Sequence, residues 1–134
     1  MKQFYFRIWV TKCILLMNIC STYAQDNTFL KVKYLDFSLE TIIAIPCEQF
    51  KADFLDIAKY WIPNKEDSIL FGSLLRKFNR IKADYIDARA EIIFKNGNGI
   101  SEMCMDKFGV FTDGKYFYKN KKLFYFLKNR LKQK

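Results

Sequence analysis

The sequence predicts an α+β domain in which an antiparallel sheet packs with about three helices. Apolar residues alternate with polar ones in several short stretches and recur at helical spacing in others, and Asn-Gly and Asp-Gly pairs separate the later strands. The predicted order is ββααβββα: an N-terminal hairpin, two helices, a C-terminal three-stranded meander and a last helix. Because short turns join the strands and the helices are segregated from them, we expect an antiparallel sheet covered on one face.

The first 24 residues have the features of a cleavable export signal. Three basic residues accompany a short apolar core at 13–20, and Thr-Tyr-Ala at 22–24 is a small-x-small cleavage site. The core is shorter than the ~20 residues that span a bilayer, which argues against an uncleaved anchor. The bulky residue before Cys20 argues against lipid attachment there. We therefore expect export to a periplasm, a cell surface or the medium after cleavage near Ala24, and a mature chain, residues 25–134, that forms one small domain.

The beginning of the mature chain changes from strand-like to helical periodicity. Residues 28–37 alternate apolar residues with lysines, as a half-buried strand does, and residues 40–45 are a β-branched run that predicts the second strand of a hairpin. Over residues 47–61 the apolar residues recur at helical spacing. This spacing predicts a first helix, which Pro63 ends.

A second helix is predicted to begin near Asp67 or Ser68. Either side chain can accept a hydrogen bond from the unpaired amides of a helix N-terminus. The apolar stripe of this helix contains Leu70 or Phe71, Leu74, Phe78 and Ile81. The spacing therefore predicts one helix that continues to about residue 81.

The clearest predicted strand is residues 86–95. Apolar residues occupy one of its faces, while Asp87, Arg89 and Glu91 occupy the other. Asparagine–glycine pairs at 96–99 favour a tight turn, so residues 100–105 form the partner strand. We expect the row of opposite charges to lie on a solvated face, where each ion pair is worth under about 1 kcal/mol.

A second turn and a last helix complete the predicted meander. The Asp-Gly pair at 113–114 separates strands at 110–112 and 115–118. Asn120 can cap a final helix by accepting from its first amides. The residues of this helix that are expected to face inward are Leu123, Phe124, Leu127 and Leu131.

The mature chain has two cysteines, Cys47 and Cys104, and an even pair in an oxidising compartment favours a disulfide over two separate buried thiols. A two- or four-residue turn places Met103 and Met105 on the apolar face of the preceding strand and Cys104 on the opposite face. If the first helix packs on the methionine face, this register separates the two cysteines. A bulge or a three-residue turn would restore the bridge.

The formal net charge of +9 is concentrated at the end of the chain. Of the 23 basic residues, three lie in the predicted signal and eight lie in residues 115–134, which contain no acid. The remaining 12 basic residues face 14 acidic ones, so the body is nearly neutral. A basic C-terminal region can meet an acidic partner, nucleic acid or anionic lipid, and the simplest alternative is a solvated helix face.

The sequence lacks residues on which many enzyme classes depend. It contains no histidine, so it has no imidazole base or ligand. Its glycines lie in predicted turns rather than in a phosphate-binding loop, and two cysteines alone cannot complete a zinc site. Asp106 and Asp113 supply too few oxygens at the spacing of a calcium loop. We therefore expect no cofactor and no metal ion.

Three carboxylates are the candidates for an enzymatic alternative. Asp84, Asp87 or Glu91 could divide acid and base roles in a small envelope hydrolase of sugar or peptide polymers. This alternative requires the carboxylates to converge in a cleft. The strand alternation favours ion pairs instead.

Aromatic residues and lysines alternate near the C-terminus, and a strand followed by a helix cannot bury all of them. An exposed aromatic surface rimmed by lysines suits a protein partner; single-stranded nucleic acid fits the composition but not an exported protein. We therefore predict an exported, non-catalytic protein-binding module, such as an inhibitor, an immunity-type protein or an envelope accessory protein. Peripheral contact of the basic helix with a membrane is the alternative. The predicted contact residues are Tyr116, Tyr118, Lys119, Lys121, Lys122, Tyr125, Lys128, Arg130 and Lys132.

Overall fold

A computed structural model describes residues 29–97 and 99–132 of the chain. In these residues one antiparallel sheet of seven strands packs with three helices, which confirms the α+β fold class. The predicted signal, residues 1–24, lies outside the described residues.

The strand order in the sheet is β2-β1-β4-β5-β6-β7-β3. Because β2 and β3 are the two edges, α2, which connects them in sequence, must cross the sheet. The elements in chain order are β1 (Leu30–Tyr34), α1 (Cys47–Ala52), β2 (Lys59–Trp61), α2 (Lys65–Leu75), β3 (Asn79–Ile81), β4 (Ala88–Asn96), β5 (Gly99–Asp106), β6 (Val110–Thr112), β7 (Phe117–Lys119) and α3 (Lys121–Lys132).

The larger part of the apolar core lies between one face of the sheet and helices α2 and α3. Val32 pairs with Ile92, which in turn pairs with Met103, so these side chains lie side by side on that face. Phe71 of α2 packs edge-on against Phe94 of β4. Burial of this kind stabilises the fold by roughly 25 cal/mol per Å² of apolar surface.

The second face of the sheet is also covered, which corrects the expectation of a sheet covered on one face. Helix α1 and the segment that precedes it pack there. The charged row of β4 is therefore buried rather than solvated: Arg89 is 1% exposed and Glu91 is 7% exposed. The apolar residues of this layer are Leu35, Ile45, Cys47, Phe50, Ile86, Ala88 and Cys104.

A disulfide joins Cys47 on α1 to Cys104 on β5, with their Cα atoms 5.7 Å apart. Asn96 pairs with Gly99, so the turn between β4 and β5 has two residues and Cys104 lies on the face opposite Met103, as the register predicts. The bridge forms because α1 packs on the cysteine face. The disulfide prediction is confirmed, and the premise that the first helix packs on the methionine face is wrong.

Residues 40–45 do not form the predicted second strand. Both sides of β1 are occupied, by β2 and β4, so this segment has no edge of β1 with which to pair. Ile42 and Ile43 are exposed. Ile45 is anchored instead by its backbone, because its N–H donates to Asp87 Oδ1 and its carbonyl accepts from the N–H of Ala88. The β-branched run therefore forms no strand, and residues 42 and 43 lie in a bend.

The first two helices are shorter than the periodicity predicts, and each is followed by a short strand. Helix α1 ends at Ala52, and Phe54 then adopts a φ of 64°, a left-handed conformation that a helix cannot contain. Helix α2 begins after Asn64, whose side chain accepts from the N–H of Asp67. It ends at residue 75, and Ile81 belongs to β3. The sequence analysis missed β2 and β3.

The later strands and the last helix agree with the prediction apart from small shifts in their bounds. Gly97 and Gly114 have φ values of 55° and 88° in the two predicted turns. Asn120 caps α3 by accepting from the N–H of Leu123 at 3.0 Å. The four side chains predicted to face inward are buried: Leu123, Phe124, Leu127 and Leu131.

Replacing both bridged cysteines, C47A/C104A, is expected to lower the free energy of unfolding by about 4 kcal/mol. The reason is that the bridge closes a long loop, with a sequence separation of 57, in the unfolded chain. Urea denaturation of the oxidised chain, the reduced chain and the double variant measures the effect. The reduced chain should resemble the variant, and equal midpoints in all three samples would contradict a structural bridge.

Candidate functional site

Lys33 on β1 fastens α1 to the second face of the sheet. Its ammonium donates to the backbone carbonyls of Phe50, Lys51 and Asp53 at 2.8, 3.1 and 3.1 Å. The last carbonyls of a helix have no partner within the helix and form the negative end of its dipole, so the buried ammonium caps α1. Glu91 Oε2 lies 3.8 Å from the same nitrogen and offsets its charge.

Arg89 on β4 holds the segment between β1 and α1. Its Nη2 donates to Thr41 Oγ1 at 2.9 Å and to the carboxylate of Asp87. The other carboxylate oxygen of Asp87 accepts from the N–H of Ile45 at 3.0 Å. Nε and Nη1 of Arg89 are buried without a hydrogen-bond partner among the described residues. Arg89 and Asp87 therefore attach this segment to the second face of the sheet.

The three carboxylates considered for acid–base catalysis lie in different surroundings. Asp87 pairs with Arg89, and Glu91 faces Lys33 beneath α1. Asp84 is exposed and lines two cavities, of about 210 and 650 Å³, on the loop that precedes β4. The convergence in one cleft that the hydrolase alternative requires is not present in residues 29–97 and 99–132.

A cavity of about 460 Å³ lies where the end of β1, the start of β2, the β5–β6 turn and the end of α3 meet. We name it the lysine cavity because four of its lining residues are lysines and only one, Asp36, is acidic. The lysines come from three separate parts of the chain. The lining residues are Tyr34, Asp36, Phe37, Ser38, Lys59, Lys107, Phe108, Lys128, Leu131 and Lys132.

The β5–β6 turn is fixed so that Lys107 and Phe108 reach the lysine cavity. The Oδ1 atom of buried Asp106 accepts from the N–H groups of Phe108 and Val110, both at 2.8 Å. Gly109 has a φ of 81°, and a Cβ built there would lie 2.7 Å from the ring of Phe124 on α3. A side chain at this position is excluded, so the turn rests directly on α3. Phe108 remains 71% exposed at the rim.

Asp36 is a carboxylate of the chain itself beside the lysines of the cavity. Its Oδ1 accepts from the side-chain hydroxyl of Ser38 at 2.6 Å and from the N–H of Ser38 at 2.9 Å. These two hydrogen bonds, followed by the charges of Lys59 and Lys132, lower the pKa of Asp36 below its usual value. Asp36 is therefore an anion at neutral pH and lies within electrostatic range of two of the four lysines.

The lysines of the cavity form no ion pair within the described residues. The four ion pairs of the described chain involve Lys33, Lys51, Arg89 and Arg130, and none of the cavity lysines. Lys107 Nζ lies 5.3 Å from the centre of the Phe108 ring and Lys128 Nζ lies 5.2 Å from that of Phe124, contacts that leave their charges uncompensated. The cavity therefore has an excess of three positive charges.

The structure divides the predicted contact residues among several places. Lys128 and Lys132 line the lysine cavity. Arg130 pairs with Asp67 of α2 at 2.9 Å, which links the two helices. The sequence analysis missed Lys59, Lys107 and Phe108, since only their exposure and proximity distinguish them from other surface residues. The remaining predicted residues are exposed on α3 or lie on β7 and the turn before it: Tyr116, Tyr118, Lys119, Lys121, Lys122 and Tyr125.

The aromatic residues of β7 and the preceding turn border a second basic cavity, of about 650 Å³, at the β3 edge of the sheet. The guanidinium of Arg80 lies 3.6 Å from the centre of the Tyr116 ring, and Lys115 Nζ lies 5.2 Å from it. The hydroxyl of Tyr118 donates to Asp113 at 3.0 Å. The rings of Tyr116 and Tyr118 therefore have partners within the chain, although the contacts with the Tyr116 ring leave the charges of Arg80 and Lys115 uncompensated.

A comparison of the chain with protein-family models, curated proteins and solved structures gives no match. No group of three or more histidine, cysteine, aspartate or glutamate residues that could hold a metal ion occurs in the part of the chain that the structure describes. None of the helices in residues 29–97 and 99–132 is both long enough and apolar enough to cross a bilayer.

The Glu91→Gln variant is expected to gain stability relative to the unmodified chain as the pH rises. Burial raises the pKa of Glu91, and the nearby Lys33 and Lys51 offset this only in part. Because the pKa is raised in the folded state, the protonated carboxyl stabilises the fold fully when the pH is below the pKa of the unfolded chain. This contribution is lost as the pH rises through the pKa of the folded state. Glutamine keeps the neutral form throughout.

Urea denaturation of both chains from about pH 4 to pH 7 measures this difference in unfolding free energy. Glu40→Gln is the matched control, because Glu40 is exposed and is not among the groups that shift the pKa of Glu91. If the difference in unfolding free energy between Glu91→Gln and the unmodified chain stays constant or falls with rising pH, burial does not raise the pKa of Glu91.

Proposed function

We propose that this chain is a small exported binding protein, without catalytic activity, that captures a protein partner through the basic surface around the lysine cavity. The observation that carries the proposal is the set of four lysines with an excess of three positive charges beside the exposed ring of Phe108. An exposed aromatic ring is typical of protein-binding surfaces, and the uncompensated cations beside it attract an acidic partner. A partner with an acidic surface complements this site.

The disulfide supports the export part of the proposal. Structural disulfides persist in oxidising compartments, and Cys47 and Cys104 are both buried within the second face. Export to a periplasm, a cell surface or the medium after cleavage near Ala24 fits this chemistry.

The engagement of the carboxylates supports binding over hydrolysis. A general acid or base must reach substrate, whereas Asp87 is held by Arg89 and Glu91 lies beside Lys33 under α1. The charges of β4 stabilise the cover of the sheet, whereas the lysines of the lysine cavity form no ion pair in the described chain.

The orientation of α3 favours a protein partner over a membrane. Its apolar side faces the core, with Leu123 and Leu127 fully buried. An interfacial helix holds to a membrane by burying its apolar face among the lipids, and α3 has that face committed to the core. Contact with lipid would then rest on surface charge alone, which salt screens over about 8 Å at physiological ionic strength.

Removing residues 119–134 cannot test this proposal. The deletion would take away Leu123, Leu127 and Leu131, which are part of the main core, as well as the last residue of β7. Substitutions of exposed lysines are the suitable test.

The charge-reversal variant Lys107→Glu/Lys132→Glu is expected to lose partner capture by roughly tenfold or more at physiological salt. Both lysines line the cavity, and neither has an ion-pair partner in the described chain. The measurement is quantitative pull-down with tagged full-length chain from the envelope fraction and medium of the cells that make it.

Lys121→Glu/Lys122→Glu is the matched control, because it changes the net charge equally on exposed positions of α3 that do not line the cavity. Its capture should stay within about threefold of the unmodified chain. Equal losses in the two double variants, with unchanged melting temperatures, would mean that general charge rather than this site binds the partner.

A further inference from the structure

We infer that the lysine cavity binds an acidic peptide segment of the partner, with two or more separate carboxylates spaced around an apolar residue. The inference rests on the proposed function and names the chemistry that the site recognises. The occupant would place its carboxylates near the cavity lysines and its apolar side chain against Phe108.

The first support is the distribution of the positive charges. Lys59 begins β2, Lys107 lies in the β5–β6 turn, and Lys128 and Lys132 lie on the last part of α3. Lysine is a point charge on a flexible stem, so lysines on different elements suit several separate anions. A peptide with spaced acidic residues offers such a pattern.

The second support is the absence of the groups that usually hold a phosphoryl group. No arginine lines the cavity, so it has no planar fork for two oxygens of one group. The N–H groups of Ser38 and Phe108 already donate to Asp36 and Asp106. Dispersed single charges therefore match the site better than one dianion.

The third support is Asp36, which shows how the site treats a carboxylate. Its charge is stabilised by Ser38 first and then by Lys59 and Lys132, as the lowered pKa of its carboxyl indicates. A carboxylate of the chain itself therefore occupies one position beside the lysines. Asp36 also repels an incoming anion, so its removal should strengthen the binding of an acidic peptide.

The fourth support is the apolar part of the lining. Phe37, Phe108 and Leu131 border the same cavity as the lysines. The turn at Gly109 rests against Phe124 and leaves no room for a side chain, so Phe108 is held at the rim rather than folded into the core. A cavity of about 460 Å³ can take a few side chains but not a folded domain.

The test uses a labelled, end-blocked peptide, Glu-Glu-Phe-Glu-Glu, and the full mature chain in a fluorescence-anisotropy titration. Comparison probes are Gln-Gln-Phe-Gln-Gln, inorganic phosphate as a competitor, and vesicles that contain an anionic lipid. We expect saturable binding of the glutamate peptide, at least tenfold tighter than of the glutamine peptide, by about 1.4 kcal/mol or more. Phosphate should displace it only at concentrations at which sodium chloride of equal ionic strength does so too.

Variants locate the binding site. Lys107→Gln/Lys132→Gln should weaken binding of the glutamate peptide by about tenfold, and Lys121→Gln/Lys122→Gln should change it by less than about threefold. Asp36→Asn should strengthen binding by roughly threefold, because it removes the competing carboxylate. Phe108→Ala should weaken binding of the glutamate peptide and leave the melting temperature unchanged, since the ring is exposed.

The outcomes separate the inference from the proposed function. Four outcomes would each overturn the inference. They are equal effects of the two lysine pairs, weaker peptide binding by Asp36→Asn, tighter binding of phosphate than of the glutamate peptide, and binding to anionic vesicles but not to the peptide. If partner capture requires Lys107 and Lys132 while the glutamate peptide does not bind, the binding function stands and the acidic-peptide inference fails. If the peptide binds at the cavity and no partner depends on these lysines, the protein-binding function fails instead.

Discussion

The attachment of α1 to the second face of the sheet determines which charges of the protein are buried. Two contacts make it: the Lys33 ammonium that caps the helix, and the disulfide from Cys47 to Cys104. Because this cover is in place, the charged side chains of β4 lie in a buried layer, where an unpaired charge would cost several kcal/mol. Arg89 is therefore paired with Asp87 and Glu91 with Lys33, so both charges of β4 are committed to structure.

This commitment separates structural charges from free ones. Lys33, Arg89 and Arg130 each meet a carboxylate within the chain. The lysines of the lysine cavity meet only Asp36, which is exposed and already accepts two hydrogen bonds from Ser38. The same division occurs on α3, whose apolar side completes the core while its lysines remain accessible. The lysine cavity thus brings four lysines that form no ion pair in the described chain to one place, where a partner can compensate their charge.

The elements that were predicted correctly are those with a strong local signal. The β4–β5 hairpin follows from its alternation and its Asn-Gly turn, and α3 follows from its apolar stripe and its cap at Asn120. The strands β2 and β3 have three residues each and are defined by their pairing with distant strands, so no local pattern could reveal them. Strand register assigned Cys104 to the correct face of the sheet, but the face that α1 covers, and with it the position of Cys47, is a tertiary property. The site was predictable only in part for the same reason: Lys128 and Lys132 belong to the basic C-terminal region, whereas Lys59 and Lys107 are brought to them by the fold.

Whether the lysine cavity is the binding site is decided by mapping the ligand on the protein. Amide chemical shifts of the isotope-labelled mature chain, followed by NMR during addition of the glutamate peptide, provide that map. If the peptide binds at the lysine cavity, the largest changes fall on the residues around it, 36–38, 59, 107–108 and 128–132. The opposite result is a set of changes that cluster in the second basic cavity, at Arg80, Lys82, Lys115 and Tyr116, or that spread evenly over all exposed lysines. Either pattern would contradict binding at the lysine cavity.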